Sequence, residues 1–160
     1  ETEFVDTATD SALAQHEEVV IAAFSHAENP AWEVYEPFAQ NSQWIDDIGD
    51  VSNSYAIQYY DLLISTALAI EKTGEINAET WSEAMYDVTG GDGEVVYTYE
   101  DGLAAIRAGR EINYDGVTGT MEYTPTGIVS GLFGIFEWQD GELVQVDSVD
   151  GDAVLELEAM

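Results

Sequence analysis

Two histidines, His16 and His26, are the first candidates for chemistry, and neither has a second histidine or a tight carboxylate pattern at metal-ligand spacing. A metal centre or an imidazole base is therefore not expected, and both side chains are assigned to solvent or hinge positions. Asp147, Asp150, Asp152 and Glu156 cluster near the end of the chain, but the calcium-loop spacing is not met, because Val149 and Gly151 fall where cation ligands are required. They read as a solvated acidic surface. Gly90-Gly91-Asp92-Gly93 has the glycines of a phosphate loop, yet no Lys-Ser or Lys-Thr follows and no strand precedes, so it reads as a helix stop and turn. No serine sits in a nucleophile elbow, no cysteine is present, and paired carboxylates carry no information among 33 acids. The residues therefore offer no enzyme chemistry, with no catalytic residue, metal or cofactor expected. Asn53 and Ser54 stand just ahead of a long helical pattern, where they can cap its first turn or hydrogen-bond a ligand.

That helix is the clearest element. From Ser54 to Lys72, the residues Ile57, Tyr60, Ile64, Ala67 and Leu68 recur at steps of three and four, and Leu63 and Ile70 widen the stripe. Lys72 and Gly74 supply the cation and the glycine of a helix end. Ahead of it, Val19 to Phe24 is a continuous apolar run rich in β-branched residues, predicted as a strand buried on both faces. Asn29-Pro30 offers an N-cap and a first-turn proline for a helix carrying Trp32, Tyr35, Phe38 and Ala39, which Pro37 is expected to end or bend early. Residues 1–16 form a polar lead-in with room for a helical turn at Ser11-Ala12-Leu13-Ala14.

Asn77 opens a further helix with Trp81, Ala84, Met85 and Val88 on one face, and Gly90-Gly91 stops it. Thr98, with Asp101 three residues later, starts a short helix ended by Gly109. The period then changes, as Val117, Gly119, Met121 and Tyr123 alternate with Thr118, Thr120, Glu122 and Thr124 to predict a half-buried strand. Thr124-Pro125-Thr126-Gly127 suits a type I turn, Ile128 to Trp138 a second strand region, and Asp140-Gly141 a hairpin with Leu143 to Val146 pairing back. One buried strand, four helices and a β-rich end define the α/β class. A strand buried on both faces needs neighbours that the first half of the chain does not supply, which suggests a piece of a larger α/β protein.

Charge narrows the partners. Against 33 acids stand only Lys72, Arg107 and Arg110, for a net charge of -30, while 46% hydrophobic and 11% aromatic residues are enough to build a core. The acids are spread between apolar positions, which favours adaptation of the whole surface to concentrated salt over an acidic tail. The Debye length falls from about 30 Å at roughly 0.01 M salt to about 3 Å at 1 M, so repulsion among such charges is relieved only in concentrated salt. Nucleic acid and anionic membranes, which need Lys and Arg to displace counterions, are excluded as partners. No apolar run reaches the roughly 18 residues of a membrane span. Glu1-Thr2-Glu3 has none of the marks of a signal peptide, so any export signal or lipid anchor is expected upstream of residue 1.

Tyr60-Asp61-Leu62-Leu63 followed by Ala67-Leu68-Ala69-Ile70-Glu71-Lys72-Thr73-Gly74 resembles the substrate-binding proteins of branched-chain amino-acid ABC transporters. That family has a tyrosine-led helix ending in an Ala-Ile-Glu-Lys-Ala-Gly-like phrase. The resemblance runs on in order through Trp81 to Val88, Gly93 to Gly102 and Asp101 to Arg110. Ile112-Asn113-Tyr114-Asp115-Gly116-Val117-Thr118-Gly119 is similar to an Ile-Asn-Tyr-x-Gly-x-x-Gly phrase of members from salt-loving archaea. Met121-Glu122-Tyr123 and Gly131-Leu132-Phe133-Gly134-Ile135-Phe136-Glu137-Trp138 look like the closing strand pair. Residues 52–147 carry the likeness, with Thr124 to Ile128 standing where the family has an acidic Asp-Glu-Asn-Gly-Asp turn.

The resemblance implies the C-terminal portion of a two-lobed, type I periplasmic-binding-protein fold. Residues 1–22 would end the second lobe, 23–133 would form part of the first, and 134–160 would return strands to the second. Val19 to Phe24 and Gly131 to Trp138 would be hinge crossings. It further implies an extracellular, cell-surface component that captures an amino acid or related small polar ligand. Its partners would be a membrane permease and the missing N-terminal region of the same protein. Tyr55 matches an aromatic residue that packs on the ligand in that family; the alternative is a residue that staples the start of the helix. Tyr55, Asn53 and Ser54 are thus the candidate ligand-binding residues. A ligand-sensing regulator with the same fold, or a halophilic surface-assembly protein, are the other readings.

Overall fold

The structure is a computed structural model and describes residues 20–43, 50–139 and 142–158. Strand β1 (Val20–Phe24) leads into helix α1 (Pro30–Gln40), which Asn29 caps by accepting from the Trp32 amide at 3.1 Å. Helix α2 (Ser54–Thr73) is the 20-residue element expected from its periodicity, capped by Asn53 and ended by Gly74, whose φ of 69° suits glycine. Asn77 caps α3 (Ala78–Thr89), and strand β2 (Glu94–Val96) follows. Thr98 caps α4 (Tyr99–Arg107), accepting from the Asp101 amide at 3.1 Å while its hydroxyl donates to the Asp101 carboxylate at 2.8 Å. Strands β3 (Ile112–Gly116), β4 (Gly119–Thr120), β5 (Phe133–Gln139) and β6 (Glu142–Val149) precede a last helix, α5 (Gly151–Glu158).

Two small sheets result. In one, β5 lies between β1 and β6 with every pairing antiparallel; in the other, β3 lies between a parallel β2 and an antiparallel β4. The β2–α4–β3 unit is the crossover that parallel strands require. Its strands pack under α2 and α3 in a core of Leu68, Ala69, Met85, Val88, Val96, Ile112, Tyr114 and Met121. A second core joins Ala31, Trp32, Tyr35 and Ala39 of α1 to Ile57 of α2 and to Val117.

Several expectations are corrected. β1 is not buried on both faces: among the described residues it is an edge strand paired only with β5, its exposure alternates, and Val20 is 59% exposed. Its neighbour comes from the far end of the chain, a pairing that no local pattern encodes. α1 runs on past Pro37 to Gln40, because Pro37 faces solvent and Asn41 closes the last turn onto the Pro37 carbonyl with both its backbone and side-chain N–H groups. The strand predicted from Val117 to Thr124 lies earlier, at Ile112–Gly116. Val117 and Thr118 form a turn instead, Gly119 and Thr120 pair back, and Tyr123 makes only an isolated bridge to Val129. The Thr124–Gly127 turn is closed by the Gly127 amide on the Thr124 carbonyl at 2.9 Å, and the strand after it begins at Phe133, not Ile128. Five helices, not four, occur among the described residues; Asp150 caps the unforeseen α5 by accepting from the Ala153 amide at 2.9 Å. The lead-in, His16, Asp140 and Gly141 lie outside the described residues.

Candidate functional site

The start of α2 meets the inner end of β1, where the Ser54 hydroxyl donates to the Phe24 carbonyl at 2.7 Å. Between them opens a cleft of about 410 Å³ lined by Ile21 to Phe24 of β1, by Ser54, Tyr55 and Gln58 of α2, and by Phe133 and Leu143 of β5 and β6. Phe24 and Phe133 face each other across the β1–β5 register with ring centres 4.3 Å apart, closing its floor. Among the described residues, the lining contains no carboxylate, histidine or lysine. Its chemistry is an apolar wall with the Tyr55 phenol, the Ser54 hydroxyl and the Gln58 amide at its edge, which suits contact with an apolar group and orientation by a few polar ones.

Tyr55 is 68% exposed and lies on the cleft with Ser54. Asn53 acts as the cap: its side-chain oxygen accepts from the Tyr55 and Ala56 amides at 3.1 and 3.3 Å. Those N–H groups are consequently taken up within the helix start and are not presented to the cleft. His26 is half-buried away from the cleft lining, stacked on Trp32 at 3.9 Å with Nε2 3.5 Å from a Glu28 carboxylate oxygen. Asp147, Asp150, Asp152 and Glu156 are exposed at the end of β6 and on α5. Gly91 turns the chain at φ 82° after α3, and a Cβ on Gly93 would lie 2.5 Å from the Ile112 backbone, so these glycines serve a turn and a close approach to β3.

The residue that sequence reasoning passed over is Asp61. It is fully buried on the inner face of α2, where its carboxylate accepts from the Tyr114 hydroxyl at 2.9 Å and from the Val117 amide, the Thr118 amide and the Thr118 hydroxyl, each at 2.8 Å. Gly116 permits this approach, since a Cβ there would stand 2.5 Å from the carboxyl group. The turn so held then anchors both segments that flank the cleft strands. Ala27 donates to the Val117 carbonyl at 2.8 Å, Leu132 to the Thr118 carbonyl at 2.7 Å, and Ser25 to the Leu132 carbonyl at 2.9 Å. Burial pushes the Asp61 carboxyl above its usual range, while its four hydrogen bonds pull the other way. Burial and the adjacent Asp61 charge also raise Asp115, and burial keeps the Tyr114 hydroxyl protonated as a donor. A signal existed: an acid at the i+4 step from Ile57, on the stripe that continues to Leu68, is an acid in a core position.

The arrangement defines a class: a mixed α/β fold matching part of a periplasmic binding protein. Among solved structures the chain is similar to a leucine binding protein, LivK, from Thermotoga maritima, with a TM-score of 0.55 and 15% identity, over 85% of this chain and 32% of that one. The chain thus spans about a third of the length of that protein. At this identity the likeness is one of fold. No protein-family profile and no curated protein matches the sequence.

Proposed function

We propose that this chain is part of the extracellular solute-binding component of an ABC transporter, in which two lobes close over an amino acid or related small polar ligand for delivery to a membrane permease. The observation that carries the reading is the apolar cleft of about 410 Å³ where Ser54 and Tyr55, at the start of α2, face the adjoining strands β1 and β5. In this reading residues 23–133 belong to one lobe, residues 1–22 and 134–160 belong to the other, and β1 and β5 cross between them, held side by side from Phe24 to Val20. The apolar wall with Tyr55 receives the ligand's side chain. Its ionised ends are bound by charge-assisted hydrogen bonds from a further region of the same protein.

Titration calorimetry of the full-length protein against a panel of amino acids and amides in concentrated salt tests this. Saturable binding that Tyr55→Ala weakens at least tenfold is expected, about 1.4 kcal/mol, and the 160-residue chain alone should bind weakly or not at all. Failure of the full-length protein to bind any of the panel would remove the proposal. Micromolar binding of leucine by the 160-residue chain alone would remove its two-lobed part.

A further inference from the structure

Gln58 stands one turn beyond Ser54 on α2 and lines the cleft with Tyr55. It is half-buried, and its side-chain amide has no hydrogen-bond partner among the described residues. Three exposed glutamines differ: Gln40 donates to Glu36 at 3.3 Å, Gln139 donates to Glu137 at 3.3 Å, and Gln145 accepts from the Ser25 hydroxyl at 3.2 Å. The Ser54 hydroxyl beside Gln58 is directed to the Phe24 carbonyl. A carboxamide carries two N–H donors and an acceptor oxygen, and one partly withdrawn from water is costly to leave unmet.

The rest of the lining sets what can meet it. Among the described residues the cleft is walled by Ile21, Phe24, Phe133 and Leu143 and has no charged side chain, in a protein of net charge -30. An ionised group placed against that wall would give up water without gaining a counter-charge. A purely apolar group would fill the space and leave the Gln58 amide stripped of water. A second carboxamide answers it fully, its oxygen accepting from the Gln58 NH₂ while its own NH₂ donates to the Gln58 oxygen. We infer that Gln58 is a specificity-determining residue of the cleft, selecting a ligand whose side chain ends in a neutral carboxamide over an apolar or ionised side chain of similar shape. This selectivity rests on the solute-binding reading proposed above and adds to it the class of side chain that the Tyr55 end of the cleft receives.

Asparagine, leucine and aspartate have nearly the same shape and end in a carboxamide, two methyl groups and a carboxylate, so titration calorimetry of the full-length protein with these three and glutamine, in concentrated salt, tests it. The tighter-binding carboxamide is expected to exceed leucine and aspartate by about tenfold or more. Gln58→Leu should weaken that carboxamide by about tenfold or more and strengthen leucine, a reversal that loss of fold cannot produce. Far-UV circular dichroism checks the fold of the variant independently. Leucine or aspartate bound as tightly as either carboxamide, or a Gln58→Leu variant that weakens the carboxamide no more than leucine, overturns the role of Gln58 and leaves the solute-binding reading standing. Failure of these four while another amino acid binds does the same. Failure of the whole amino-acid and amide panel removes the solute-binding reading and the role of Gln58 with it.

Discussion

Asp61 stands on the apolar face of α2 because it organises backbone that would otherwise be buried without partners. Its two oxygens serve two amides and two hydroxyls at the β3–β4 turn, and that turn passes the constraint to Ser25, Ala27 and Leu132. Asp61→Asn keeps the shape but sets an NH₂ group against N–H donors, so at least one buried amide loses its acceptor. A loss of about 2–4 kcal/mol is expected, read by urea unfolding in concentrated salt. Stability within error of the parent would show that the turn holds without the carboxylate. The raised carboxyls make a second prediction, with the sign set by linkage. Asp61 and Asp115 bind protons more tightly folded than unfolded, so their contribution is fully present below the ordinary carboxylate range and is lost as pH rises through the folded values. Acidification from neutral pH towards the ordinary carboxylate range at constant salt should therefore raise the melting temperature, and a fall would contradict the burial assigned to this pair.

At the scale of elements, the cleft depends on where α2 begins. Asn53 satisfies two amides and Ser54 ties the first turn to Phe24, so cap and tether together fix the position of Tyr55. Asn53→Ala should lower stability by about 1 kcal/mol in thermal unfolding. A cost near zero would mean that the tether alone sets the start of the helix. The helices were legible because their signals are local: Asn53, Asn77 and Thr98 cap where their types allow, and the stripe of α2 runs at the expected period. The strands were less so. The alternation from Val117 to Thr124 is real in Val117 and Met121, which are buried, but Thr118 is equally buried because it answers Asp61 across 57 residues of chain. Of the cleft, Ser54 and Tyr55 were legible from the helix start, and Gln58 was within reach as the residue one turn beyond Ser54. Phe133 and Leu143 were not, since only strand pairing brings them there.

For the whole molecule, electrostatics sets the working conditions. Lys72 pairs with Asp87 and Glu111, Arg107 with Glu71, and Arg110 with Glu94, so all three cations are already engaged and the excess acids have no counter-charge within the chain. Such exposed pairs contribute little each. Dilution well below 1 M salt extends the Debye length across the molecule, and the isolated chain should then unfold. Far-UV circular dichroism and tryptophan emission follow this directly; spectra unchanged in dilute buffer would count against salt dependence.

The sequence by itself determined the α/β class, the span and caps of α2, α3 and α4, and the net charge, because propensity, capping and net charge act over a few residues or over the composition as a whole. Tertiary structure alone decided that β1 is an edge strand beside β5, that Asp61 grips the turn at Val117 and Thr118, and that the start of α2 faces Phe133 across a cleft. Each of these joins residues far apart in the chain. Such contacts are chosen by the packing of whole elements, which no local pattern records.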